Sequence, residues 1–227
     1  MLLKILYVSF PRYLKRYGVA NAALYATYRL ANSAIILLIF KVMTLEPGDL
    51  DWSLIAGQDE RWKFLGPDEL GRFSEQDLSL ELDPSFLSAA FARGDLCYGF
   101  VENGILGSYT WYATGPTPLS KHLTAYFRHD YIYMYKSFTA LAFRGRHLCG
   151  IGVSRAFHSL TREGIHKRLV SYVEVHNQPS LKALRRAGFK SVGKAVVLGG
   201  KSPRLSCTSP GSPVVFRIKN RSRMARD

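Results

Sequence analysis

From Tyr131 to Leu198 the chain alternates between two periodicities, and that alternation limits the fold more than anything else in it. "YIYMYKSFTALAF" reads as a strand and residues 148–163 as a helix closed by Gly164. "KRLVSYVEV" reads as a strand, "QPSLKALRRA" as a helix followed by Gly188, and "FKSVGKAVVL" as a strand. A glycine past the last helical turn supplies the left-handed stop that ends a helix. Upstream, "LCYGFVENGILGSYTWY" has two strand-like runs around Asn103-Gly104, a strong hairpin turn. Hairpin strands followed by strand–helix–strand–helix–strand are an α/β pattern on a mixed sheet.

The rest of the chain is read around that block. Residues 12–32 form a helix with Leu14, Tyr17, Asn21, Leu24 and Tyr28 near one face and Arg12, Lys15, Arg16 and Arg29 adding charge. A strand covers 34–44, including "IILLIF", which is too short to cross a bilayer. "EPGDLDWSLIA" opens a helix with Pro47 in its first turn. Short helices fall at "GPDELGRF" and "DPSFLSAAFA"; "GPTP" is a loop, and "SPVVFRIKN" is a last strand. The stretch "GGKSPRLSCTSPGS" between the last two strands reads as a polar, mobile loop. "MLLKILYVSF" has neither the long apolar core nor the cleavage site of a signal peptide. The expected organisation is a basic helical extension at 1–33, one domain at 34–220 and a basic tail at 221–227.

Composition limits the chemistry. With 227 residues, 47% apolar and 21% charged, the chain can build a full core. A net charge of +14 favours anionic partners: nucleic acid, an anionic membrane surface or a phosphorylated co-substrate. No aromatic side chains interleave the basic tail "RIKNRSRMARD", which disfavours nucleic acid. Cys97, Cys149 and Cys207 form no CxxC, and the six histidines form no HExxH, so neither a disulfide framework nor a metal site is expected. A reduced, cytoplasmic setting follows, with peripheral membrane contact through residues 1–32 as an open alternative.

"FRGRHLCGIG", from Phe143 to Gly152, joins the first strand of the block to its helix. The first amides of a helix have no intrahelical partner, and with the macrodipole they attract anions. Gly145 permits close backbone approach, and Arg144 and Arg146 add charge. The loop matches neither a Walker motif nor GxGxxG.

The loop and the helix, strand and helix after it resemble the GNAT family of acyl-CoA-dependent N-acyltransferases. The family's pyrophosphate loop has the pattern Arg/Gln-x-x-Gly-x-Gly/Ala, and "RGRHLC" aligns with it from Arg144. Gly164, Asn177, Ser180, Gly188 and Phe189 then stand at the family's spacings. A rival register, His147-x-x-Gly150-x-Gly152, makes the distances to Gly164 and Asn177 too short. The resemblance implies a mixed, largely antiparallel sheet with a splayed central parallel strand pair, flanked by helices. It implies acetyl-CoA or another acyl-CoA as co-substrate, no metal, and a small-molecule or protein amine as acceptor. It assigns co-substrate binding to the main chain of Phe138 and Thr139, to Arg144, Gly145, Arg146, His147, Leu148 and Cys149, and to Asn177 and Ser180.

Two departures matter. His147 and Cys149 replace small residues of the loop pattern, and Leu184 stands where many members carry the tyrosine that protonates the leaving thiolate. Gly150 and Gly152 fall inside the helix, where they cost stability and could permit close packing. Tyr172, Glu174 and His176 share one strand face by alternation, which makes Glu174 and His176 the candidate catalytic bases. Tyr131, Tyr133 and Tyr135 form a second stripe, read as half-buried sheet residues or an acceptor wall. The leading function is N-acyl transfer, most simply acetyl transfer, to an amine that attacks the thioester directly. The alternatives are a CoA-binding module without turnover, or a basic membrane-associated protein.

Overall fold

The computed structural model describes residues 14–15, 17–55, 57, 59–162, 168–199, 203–209 and 215–220. Arg12, Arg16, Gly164, the segment 1–13 and the tail 221–227 lie outside the described residues. Residues 14, 15 and 17 are helical; after Gly18 come α1 (Val19–Ala34) and β1 (Ile36–Leu45). Then come β2 (Trp62–Leu65), α2 (Pro67–Gln76), α3 (Pro84–Ala92) and the hairpin β3 (Leu96–Glu102) and β4 (Ile105–Ala113). The pair β5 (Thr117–Pro118) and β6 (Leu123–Phe127) precedes β7 (Tyr131–Thr139), α4 (Leu148–Arg162), β8 (Arg168–Glu174) and α5 (Gln178–Arg186). The chain closes with β9 (Lys190–Gly199), β10 (Pro203–Thr208) and β11 (Phe216–Asn220).

Eight strands form one sheet in the order β10-β9-β1-β8-β7-β4-β3-β2. Every pairing is antiparallel except β7 with β8, whose crossover is α4. This is the expected class: mixed, largely antiparallel, with one central parallel pair. One face carries a core shared with the helices, including Leu70, Leu87, Val153, Phe157, Leu181 and Leu184. The other face is covered by a second sheet, β11-β6-β5, through Leu123, Ala125, Phe216 and Ile218 against Phe40, Val42, Tyr131, Tyr133 and Val170. Strand alternation sorts β7 and β8 between the two cores. Ile132, Met134, Leu169 and Val173 face the helices, whereas Tyr131, Tyr133, Val170 and Tyr172 face the second sheet.

Several expectations need correction. The helix expected from "EPGDLDWSLIA" is two 3₁₀ turns, Pro47–Asp49 and Trp52–Ile55. Asp51 breaks it by accepting the amide and hydroxyl of Ser53, at 3.0 and 2.6 Å, an alternative to helical bonding. The polar stretch between the last strands contains β10, which pairs along β9. The expected N-terminal helix is broken at Gly18, whose φ is +81°: residues 14, 15 and 17 are helical before it, and the helix after it buries Ala22 and Tyr28 while Leu24 is exposed. Gly152, in contrast, does permit close packing: a Cβ there would lie 2.5 Å from the Trp62 ring. Among the described residues no helix is long and apolar enough to cross a membrane.

Candidate active site

β7 and β8 pair only from Tyr131↔Arg168 to Tyr133↔Val170, and then they separate. The cause is visible on the far side of β7. Trp111 pairs with Tyr135 and Tyr109 with Phe138, so Thr110 alone faces Lys136 and Ser137. Lys136 takes a left-handed φ of +45° to accommodate the extra residue. A bulge of this kind bends its strand and ends regular pairing. Past Tyr133 the two strands therefore part, and a cavity of about 210 Å³ lies in the gap. Its walls come from both faces of the sheet: Met134, Ser171 and Val173 from the helix side, Tyr133, Tyr172 and Glu174 from the other. Cys149 on α4 and Ser180 and Leu184 on α5 close it.

The glycine loop lies beyond the end of β7. A 3₁₀ turn, Leu141–Phe143, leads into Arg144; Gly145 and His147 then adopt left-handed φ values of +89° and +59°. These two residues turn the chain into α4, whose first i→i−4 bond is Ile151 N–H to the His147 carbonyl at 3.2 Å. The amides of Leu148, Cys149 and Gly150 precede that bond, as an anion-binding helix start requires.

The two arginines differ in their commitments. Arg144 donates Nε to the Thr139 carbonyl at 3.2 Å. Arg146 instead forms a fork with Glu102 on the β3–β4 hairpin, at 2.8 and 3.0 Å, and lies over the Phe100 and Phe143 rings. The Arg146 hydrogen bonds, joined by Arg61, pull the Glu102 carboxyl down to about 2. The cation that reaches the loop from elsewhere is Arg186, whose guanidinium is 3.0 Å from His147 Nδ1. A guanidinium only donates, so Nδ1 must offer its lone pair there. Sequence reading missed Arg186; its only trace was a pair of arginines in the last turn of a helix.

Phe138 and Thr139 hold their places through β4. The Ser108 hydroxyl donates to the Phe138 carbonyl at 2.8 Å and sits 3.0 Å from the Thr139 hydroxyl. The Thr139 carbonyl, which accepts Arg144 Nε, has a second lone pair. Asn177 is the N-cap of α5, accepting the Ser180 amide at 3.3 Å, and Pro179 occupies the first turn. Its placement follows from capping, and it carries Ser180 and Leu184 to the cavity wall. Cys149 is half-buried, and desolvation pushes its thiol up to about 11, with a Ser137 hydrogen bond opposing.

Glu174 ends β8 on the cavity wall. Its Oε2 is 3.3 Å from His176 Nδ1. His176 itself lies off the cavity, packed against Tyr28 and Tyr25 of α1. Burial holds its pKa below the ordinary value, opposed by Glu174 and assisted by Arg29. Of the sequence candidates, Cys149, Glu174, Asn177 and Ser180 meet around one cavity, and His176 stands directly behind Glu174. Arg146 is held on the hairpin instead. Among the described residues no cluster of His, Cys, Asp and Glu could hold a metal.

No family model and no curated protein matches the chain. Solved structures similar to it include a protein assigned to the GNAT family of acetyltransferases from Novosphingobium aromaticivorans: 12% identity, TM-score 0.48, 82% of this chain and 65% of that one. A GNAT-family acetyltransferase from Colwellia psychrerythraea is similar at 14% identity and TM-score 0.47, over 79% of this chain and 62% of that one. A GCN5-related N-acetyltransferase from Kribbella flavida is similar at 12% identity and TM-score 0.49, over 78% and 66%. The chain thus spans 65% and 62% of the length of the first two.

Proposed function

We propose that the protein is an acyl-CoA-dependent N-acyltransferase, most simply an acetyltransferase, acting on an amine by direct attack. One observation carries the reading: the gap between β7 and β8 opens through the sheet and has a basic glycine loop and a helix start at its far end. Among the described residues the edge of β7 beyond Tyr133 has no strand partner on that side, so an extended amide chain could pair with it. The amides of Leu148 and Cys149, with Arg144 and Arg186, are suited to hold a pyrophosphate. Charge of +14 would draw a polyanionic co-substrate toward the protein.

The thioester supplies an activated acyl carbon. Glu174 would take a proton from the ammonium, directly or through water, so that the nitrogen lone pair can form the new C–N bond. The C–S bond then breaks, and the thiolate takes up a proton. Leu184 offers none, so that proton must come from a hydroxyl on the cavity wall, with Ser180 one turn before Leu184 the nearest in sequence, or from water. The pocket needs no metal for this step.

The test is release of free thiol from acetyl-CoA with a panel of amines. Glu174→Gln should lower kcat by about 10²-fold or more, the scale of general-base loss, with acetyl-CoA affinity unchanged. A wild-type protein that binds acetyl-CoA but acylates no amine would favour the CoA-binding module instead. A second reading, contact of residues 1–32 with an anionic membrane, is favoured by the outer face of α1, where Val19 and Leu30 are 75% and 61% exposed. Co-sedimentation with phosphatidylserine vesicles would test it; loss of binding on truncation to residue 33 supports it, and no binding refutes it.

A further inference from the structure

A carboxylate stands beside the basic loop. Glu102 ends β3, one residue before the Asn103-Gly104 turn pair is complete, and accepts Nη1 and Nη2 of Arg146 at 2.8 and 3.0 Å. Charge alone argues against an acid there, because it repels any anion that the loop attracts. Its other contacts point to a mechanical role. Arg61 donates to the same carboxylate at 2.5 Å and forks onto Asp59 at 2.8 and 3.0 Å. The Arg61 and Arg146 guanidinium carbons lie 5.0 and 5.2 Å from the centroid of the buried Phe100 ring. An isolated exposed ion pair contributes little, but a bidentate fork within a charge network over an aromatic ring is the exception.

The same hairpin carries the loop at three successive points. The Ala140 amide donates to the Gly107 carbonyl at 2.9 Å. The Phe143 ring lies on Gly107, where a Cβ would fall 2.7 Å from it, and meets the Phe100 ring edge-on at 6.1 Å. Arg146 then reaches Glu102. Between the last two points lie only Arg144 and Gly145, and a glycine loses more freedom on ordering than any other residue. The fork therefore fixes the chain just past its most mobile residue, and the Arg186 contact with His147 fixes the other side of the turn.

We infer that Glu102 is a positioning residue for the anion loop: through Arg146 it holds the turn at Gly145 and His147, and with it the first amides of α4, in the binding shape before any ligand arrives. A loop ordered in advance binds without the entropic cost of ordering. Arg146 is then a strut rather than a phosphate ligand. The consequence for acyl-CoA rests on the acyltransferase reading; the ordering of the loop does not.

The first measurement uses no ligand. Order parameters of the Gly145, Arg146 and His147 amides are obtained from ¹⁵N relaxation in the wild type, Glu102→Ala, Arg146→Ala and the double variant. A rigid backbone gives about 0.85 and a flexible one less than about 0.6. The wild-type loop should lie near the first value. All three variants should fall toward the second by similar amounts, with the middle of α4 unchanged. A loop that is flexible in the wild type, or as rigid in Glu102→Ala as in the wild type, overturns the inference.

The second measurement is calorimetric titration of the same four proteins with acetyl-CoA. Each single variant should bind at least about threefold more weakly, and the double variant should stay within about twofold of the weaker single one. Electrostatics alone predicts the opposite pattern. Glu102→Ala removes a negative charge and would bind more tightly, and the double variant, with the wild-type net charge, would bind like the wild type. Either of those results overturns the inference. Loss of loop order in the variants of a protein that binds no acyl-CoA sustains the strut and sinks the acyltransferase reading, so the two failures are distinct.

Discussion

Gly145 and Gly188 make a matched pair for measuring how α5 is seated. Both have left-handed backbones, with φ of +89° and +97°. A Cβ on Gly145 would meet nothing within 4 Å, whereas one on Gly188 would fall 2.0 Å from the Asp49 carbonyl oxygen. Alanine at either position bears the left-handed penalty of roughly 1–2 kcal/mol. At Gly188 it must also push apart two backbone segments, since neither the α5 C-terminus nor the Pro47–Asp49 turn is a flexible side chain. Overpacking adds about 1–3 kcal/mol, occasionally more. Gly145→Ala should therefore cost about 1–2 kcal/mol and Gly188→Ala about 2–5 kcal/mol. Set against a total of roughly 5–15 kcal/mol, the second approaches unfolding. Urea denaturation of both variants gives the difference. Costs equal to within about 0.5 kcal/mol would refute the close approach of α5 to the turn.

Two more predictions concern α5 and the strand before it. Asn177→Ala removes the cap of α5 and should cost about 1 kcal/mol, lowering Tm by roughly 2–4 °C, while Asn177→Asp keeps the acceptor and most of the stability; equal losses would refute the cap. His176 has a folded pKa below its ordinary 6.5, so folding favours the neutral ring. Its contribution is present above pH 6.5 and is lost as pH falls through the folded midpoint, because the unfolded chain binds the proton more readily there. Melting curves between pH 7.5 and 5 should show a fall that His176→Gln reduces; parallel curves for the two proteins would refute it.

Much of the fold was readable because it rests on local chemistry. Asn103 and Gly104 adopt φ of +52° and +75°, as a tight hairpin requires, and the block from Tyr131 to Leu198 has the elements that its periodicity implied. β2 was missed because "WKFL" is four residues long, and β10 because its proline, serine and threonine read as loop chemistry. Both are strands only through a neighbour's hydrogen bonds. The site divides in the same way. Asn177 and Glu174 are placed by a cap and a strand end, which sequence reveals. Arg146 is claimed by Glu102, 44 residues away, and Arg186 reaches His147 from the far end of α5, which no local pattern predicts.

The central claim is that the basic loop and the β7–β8 gap hold an acyl-CoA. Calorimetric titration with acetyl-CoA tests it most directly, with an Arg144→Ala, Arg186→Ala double variant beside the wild type. The account predicts micromolar binding, weakened at least tenfold, about 1.4 kcal/mol, in the variant. No binding of acetyl-CoA or longer acyl-CoAs, or equal affinity in both proteins, would contradict it.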